Sequence, residues 1–212
     1  MRKTLFGMYK KLYAGFGPQQ WWPAETPFEV IVGAILTQNT SWVNVEKAIS
    51  NLKKNNALSP SRLRTMPHAR LATLIRSAGY YNIKARRLKN FLQFFSVHFQ
   101  QDVTVMAKVP QERLRRQLLA VNGIGPETAD SILLYALGKP AFVVDAYTKR
   151  ILGRHRLLRE DATYEQAQNF FMKRLKIKVQ LYNEYHALLV RTGKEYCLKK
   201  KPRCSMCPLR GF

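Results

Sequence analysis

At 212 residues and 46% hydrophobic content the chain can bury a real core, as one large domain or two small lobes, which excludes a disordered basic tail. Thirty-six Lys and Arg against 13 Asp and Glu give a formal net charge of +23, scattered through apolar-periodic sequence, so a polyanion is the expected partner, with nucleic acid ahead of a membrane surface. Charge confers affinity and salt sensitivity but names no reaction; the opening MRKTLFGMYKKLYAGFG lacks a signal peptide's apolar core and no run reaches the ~20 residues that cross a bilayer, so no membrane partner and a cytoplasmic location are expected. In chain order, apolar residues recur at helical spacing over 28–36, 43–52, 71–77, 85–95, 112–121, 127–137, 147–152, 164–175 and 179–192. Strand-like alternation is nearly absent. Ser59, Pro60 and Ser61 precede one helical segment, Pro110 opens another, and Gly138, Lys139 and Pro140 close the 127–137 segment. An all-α fold with short connections follows, and no repeat or low-complexity linker marks a domain boundary.

The densest signal lies in LLAVNGIGPETADSILLYALGKPAFVVDAYTKR, where a glycine turn joins two apolar-periodic segments and Asp145 follows about twenty residues later. Gly123 and Gly125 are expected at positive φ, where Cβ-bearing residues are disfavoured, so that two helices meet in a tight turn with outward N–H groups. Amides at the start of the Pro126 helix suit a phosphate, and Pro126 loses nothing in a first helical turn. An ordinary helix–helix connection would also use G-x-G. Leu118, Leu119 and Val121 before the turn, and Ala129, Ile132 and Leu133 after it, lengthen the pattern and favour phosphate binding on so basic a chain. Gly123, Ile124, Gly125 and Thr128 are the expected DNA contacts of this hairpin.

Four stretches carry a family resemblance: WWPAETPFEV from Trp21, GAILTQNTSW from Gly33, GYYNIKARRL from Gly79, and the NGIGPETADSILLY block with VVDAY. On them the chain resembles the DNA glycosylase superfamily of endonuclease III, and looks most like its bacterial 3-methyladenine DNA glycosylase III branch. The resemblance implies an all-α, two-lobed helix-hairpin-helix glycosylase fold with a DNA-facing cleft between the lobes. A six-helix lobe would span 26–140, and a second helical lobe with a C-terminal Cys loop would combine 1–25 with 141–212. The partner implied is double-stranded DNA containing a damaged base, bound by a monomer.

Asp145 matches the family's catalytic aspartate. Breaking an N-glycosidic bond creates an oxocarbenium-like sugar, which a nearby carboxylate stabilises or to which it directs water. A helix N-cap is the other role open to Asp145, and one residue can fill both. Where bifunctional relatives carry a lysine that attacks the sugar, this chain has Glu127, which cannot form a Schiff base. The resemblance thus implies a monofunctional glycosylase acting on an alkylated purine, with Glu127 facing the base pocket. An acid favoured by the helix dipole is the alternative for Glu127.

A purine methylated on a ring nitrogen is cationic and leaves readily, so selection can rest on the pocket. Trp21, Trp22 and Trp42 fall at or near its implied positions, where indole faces attract such cations and stack on a flipped base. Core packing is the competing role, and adjacent Trp21 and Trp22 would point apart on a helix or strand, leaving one of them structural. Trp42 stands where phenylalanine is expected. Gln38 matches a residue that fills the gap left by the flipped nucleotide; a polar cap between two helices is the alternative, one that Asn39 or Thr40 would serve as well. Lys194 stands where the resemblance implies a lysine near the pocket, but on a chain this rich in lysine a solvated or phosphate-facing role is the expected one. Two other readings stay open: an endonuclease III-like glycosylase for oxidised or mismatched pyrimidines, and a non-catalytic helix-hairpin-helix DNA-binding protein.

Cys197, Cys204 and Cys207 have the C-x6-C-x2-C spacing of the first three ligands of the superfamily's [4Fe-4S] cluster, and Lys199, Lys200, Lys201 and Arg203 would make the intervening loop a DNA contact. Four cysteines are the usual demand, and the fourth ligand is not present in this chain. Reduced thiols and zinc are the alternatives.

Overall fold

The computed structural model describes residues 2–159 and 161–212, which form helices and loops with no strand among them. They fall into two compact units, Ala24–Leu137 and the residues up to Pro23 joined with Gly138–Phe212.

The Ala24–Leu137 unit contains α2 (Pro27–Leu36), α3 (Trp42–Lys54), α4 (Pro60–Thr65), α5 (His68–Leu74), α6 (Tyr81–Phe99), α7 (Val103–Ala107), α8 (Gln111–Leu119) and α9 (Pro126–Ser131). Its centre is α2. Thr26 caps the helix by accepting the Glu29 N–H, Pro27 occupies the first turn, and every residue from Phe28 to Leu36 is buried. A helix apolar on all sides must be surrounded, and α3, α6 and α9 pack around it. Phe28 stacks on Phe95, and Phe95 on Phe91, with centroids 6.3 and 5.5 Å apart. Helix α6 is longer than the 85–95 periodicity suggests. The predicted 127–137 helix is α-helical only to Ser131, after which Ile132–Ala136 is π-wound and Leu137 N–H reaches back to Ile132 O. An unbroken apolar run reads alike in either winding, so periodicity cannot show this change.

The other unit holds α1 (Arg2–Phe16), α10 (Ala146–Arg154), α11 (Tyr164–Met172) and α12 (Val179–Glu195). Helix α1, absent from the sequence expectation, buries Leu5, Met8 and Leu12, and Leu5 O accepts the Tyr185 hydroxyl at 2.9 Å. Phe142 and Phe171 stack at 3.9 Å beneath Tyr182 and Tyr185. Thr163 and Gln166 form a reciprocal capping box that starts α11.

One buried charge holds α2 in place. Lys84 is 1% exposed, and its ammonium donates to Leu36 O at 2.8 Å and Ala78 O at 2.7 Å, the closing carbonyls of α2 and of the short turn Arg76–Ala78. Burial, aided by the Arg87 charge, lowers its pKa from 10.5 to about 8. Lys84→Met should therefore cost roughly 2 kcal/mol at pH 7, because two carbonyls lose their donor. Between pH 8 and 10.5 the unfolded Lys84 binds a proton that the folded one has released, so this group makes wild-type stability rise with pH. The deficit of Lys84→Met should widen across that interval in urea titrations; a constant deficit would contradict it.

Candidate active site

The hairpin between α8 and α9 is built by one special glycine. Gly123 has φ +95°, and a Cβ there would lie 2.3 Å from Cγ of Arg87. Gly125 corrects the expectation of positive φ: it is the α9 N-cap at φ −91°, ψ 177°, extended backbone open to other residues. Ile124 is buried, and its N–H turns inward to Val121 O at 3.0 Å, so it anchors the hairpin rather than offering its amide outward. The two arms are joined by a bidentate pair, Arg115 Nε and Nη2 to the two oxygens of fully buried Asp130, at 2.8 and 3.0 Å.

Gln38 is tied to this hairpin. Its Nε2 donates to Gly123 O at 3.0 Å and to Oγ1 of buried Thr128 at 2.9 Å, while its Oε1 accepts from Arg87 Nη1. Both ends of the amide are thus occupied within the unit. Arg87 was not among the sequence candidates; it packs on Gly123 and fixes Gln38, a relation that only the tertiary fold creates. Glu127 is an exposed acid in the first turn of α9, and its carbonyl accepts the Ser131 hydroxyl at 2.7 Å. Trp42 opens α3 and donates its indole N–H to Glu46, one turn on, at 2.7 Å.

In the other unit Asp145 is the N-cap of α10. Its backbone is extended, Oδ1 accepts the Thr148 N–H at 2.7 Å, and the side chain is 13% exposed. Its Oδ2 lies 3.7 Å from Nε2 of His186 on α12, another buried residue that sequence reasoning passed over. Burial lowers the His186 pKa against the opposing pull of Asp145, which keeps the imidazole neutral near pH 7. A carboxylate at the positive end of a helix, with its second oxygen beside a neutral ring, has the chemistry to stabilise a developing cation.

Trp21 and Trp22 lie in an irregular segment, and their rings meet edge to face at 5.5 Å instead of pointing apart. Lys194 on α12 is exposed and places its ammonium 5.9 Å from the Trp21 ring. The C-terminal loop begins at Cys197, whose carbonyl accepts Arg150 Nε at 2.7 Å and whose sulfur accepts Arg154 Nη1 at 3.3 Å. Cys207 has its thiol pKa raised by burial, with Cys197 and Cys204 adding to the shift. The chain supplies three thiols where a [4Fe-4S] cluster takes four, and among the described residues no three His, Cys, Asp or Glu side chains are gathered closely enough to hold a metal ion.

Residues 32–176 match the HhH-GPD superfamily of base excision DNA repair proteins, and the chain belongs to that superfamily. A Methanocaldococcus jannaschii protein named "Putative DNA repair glycosylase MJ1434" is 48% identical over 212 residues, 99% of this chain and 96% of that protein. Endonuclease III of Sulfolobus acidocaldarius is 30% identical over 189 residues, 87% of this chain and 80% of its own. Among solved structures, the H. pylori 3-methyladenine DNA glycosylase MagIII bound to 1,N6-ethenoadenine is 31% identical with a TM-score of 0.77, covering 90% of this chain and 97% of that one. A non-covalent endonuclease III–DNA complex superposes with a TM-score of 0.83 over 98% of this chain and 92% of that one, at 22% identity. The all-helical fold is that of these structures, and the chain is a DNA glycosylase of base excision repair. No helix among the described residues is long and apolar enough to cross a membrane.

Proposed function

We propose that this glycosylase is monofunctional and acts as a monomer on double-stranded DNA, hydrolysing the N-glycosidic bond of a flipped, alkylated purine of the 3-methyladenine type. Glu127 carries the reading: a carboxylate stands at the second residue after the hairpin's last glycine, where a lyase would need an amine nucleophile. The hairpin holds a phosphate near Gly123. Asp145 faces the sugar, its anion stabilising the oxocarbenium as the C1′–N bond lengthens, orienting the water that adds to C1′ and accepting the proton that this water gives up. The purine departs with the bonding electron pair, which neutralises the cationic ring. Because such a base is already a good leaving group, the protein need not protonate it, and the indoles of Trp21, Trp22 and Trp42 can serve recognition. The similarity to the H. pylori 3-methyladenine enzyme supports this substrate class. Gln38 can enter the vacated stack only by exchanging its bonds to Gly123 and Thr128 for base edges.

The test is incubation with methylated duplex and with duplexes carrying oxidised or mismatched pyrimidines, followed by identification of the released bases and borohydride treatment. Release of methylated purine, with strands intact until alkali is added and no trapped adduct, is the expected result. Release of pyrimidines alone would overturn the substrate class. An efficiently trapped covalent complex would overturn the monofunctional reading.

A further inference from the structure

The N-cap bond engages only Oδ1 of Asp145, and Oδ2 takes no part in it. Oδ2 needs a second constraint if it is to present one fixed face to a reacting sugar. The group beside it is Nε2 of His186, 3.7 Å away, on a side chain only 7% exposed. The spacing is set by helix packing rather than by a loop. Gly193, two turns further along α12, lets Tyr147 of α10 lie against its backbone, and Arg150 of α10 donates to Gly193 O at 3.1 Å. A protonated imidazole in this place would offset the charge that the sugar cation is meant to feel. At 3.7 Å the two groups stand just beyond hydrogen-bond length, so a neutral ring with its proton on Nε2 would act on the carboxylate as a nearby dipole that orients it without cancelling its charge, and burial favours that neutral form.

We propose that His186 is a positioning residue for Asp145, holding Oδ2 so that the capped carboxylate keeps one orientation toward the sugar. The role rests on the reading of Asp145 as the catalytic group. It requires a donor at the Nε2 position and no contact between His186 and DNA.

Single-turnover release from a methylated duplex, measured with duplex affinity and thermal unfolding, tests it on three variants. His186→Leu fills the space without a donor and should slow release on the order of 100-fold, with duplex Kd within about twofold of wild type, the magnitude expected when a reacting group is mis-set by about an ångström. His186→Gln places an amide near the Nε2 position and should recover most of the rate, whereas His186→Asn, whose amide reaches only the Nδ1 position, should not. This Gln/Asn pair keeps the question answerable if the leucine variant does not fold. Equal rates for Gln and Asn, or a wild-type rate for a folded His186→Leu, would overturn the positioning role while leaving the glycosylase intact. Failure of the wild-type chain to release any base would overturn the enzymatic reading, and this role with it.

Discussion

Asp145→Asn is expected to lower base release by at least about 10²–10³-fold while leaving both the fold and duplex binding in place. The asparagine oxygen can still accept the Thr148 N–H, and Asn caps helices about as well as Asp, so α10 keeps its start and stability should change by less than about 1 kcal/mol. Neutral His186 can meet the new amide by presenting Nε2 as an acceptor in its other tautomer. The only property removed is the negative charge. Duplex affinity has no reason to fall, because the chain already carries +23 and the substitution removes an acid. Asp145→Ala is the informative contrast, since it also loses the cap and should cost roughly 1 kcal/mol in addition to the rate. Single-turnover release, duplex Kd and thermal unfolding, measured together, separate the two effects. Wild-type release by Asp145→Asn would sink the catalytic assignment and leave Asp145 as an N-cap alone.

Local features of the candidate site were legible, and features made by tertiary contact were not. The cap at Asp145 could be read from an acid followed at once by a helical pattern. Gly123 reads as a turn glycine, but two glycines in G-x-G look equivalent in sequence, and only the geometry separates the left-handed Gly123 from the extended Gly125. The spacing of Leu5, Met8 and Leu12 was available for α1; interleaved lysines and two glycines, Gly7 and Gly15, diluted it. His186 lies 41 residues from Asp145, and Arg87 lies 49 from Gln38. Neither partnership has a local pattern, because each arises from the packing of one helix on another or on a turn. Lys84 shows the same limit from the opposite side: nothing in YNIKARR distinguishes the lysine that is buried from the arginines that follow it.

Gly193→Ala should damage stability and catalysis together, although residue 193 has no chemistry of its own. A Cβ at this position would fall 2.4 Å from Cδ1 of Tyr147 and 2.6 Å from both its Cβ and its Cγ. These atoms sit at the root of the side chain, so no rotation of a flexible tip relieves the contact; α10 itself must back away from α12. Overpacking of this kind costs about 1–3 kcal/mol. The displacement is carried to the chemistry because Tyr147 is two residues from Asp145, at the start of the same helix. Moving α10 by about an ångström shifts the carboxylate relative to His186 and should reduce release on the order of 100-fold. Arg150 would be strained as well, since it donates to Gly193 O and stacks over Tyr147 at 5.0 Å. The double variant Gly193→Ala with Tyr147→Ala tests the cause. Removing the ring clears Cδ1 and Cγ but leaves Cβ, so denaturation should show partial recovery of stability, a positive coupling between the two sites. Strict additivity of the two losses would mean that the clash relaxes by another route, and that the approach of α10 to α12 is not what holds Asp145 in place.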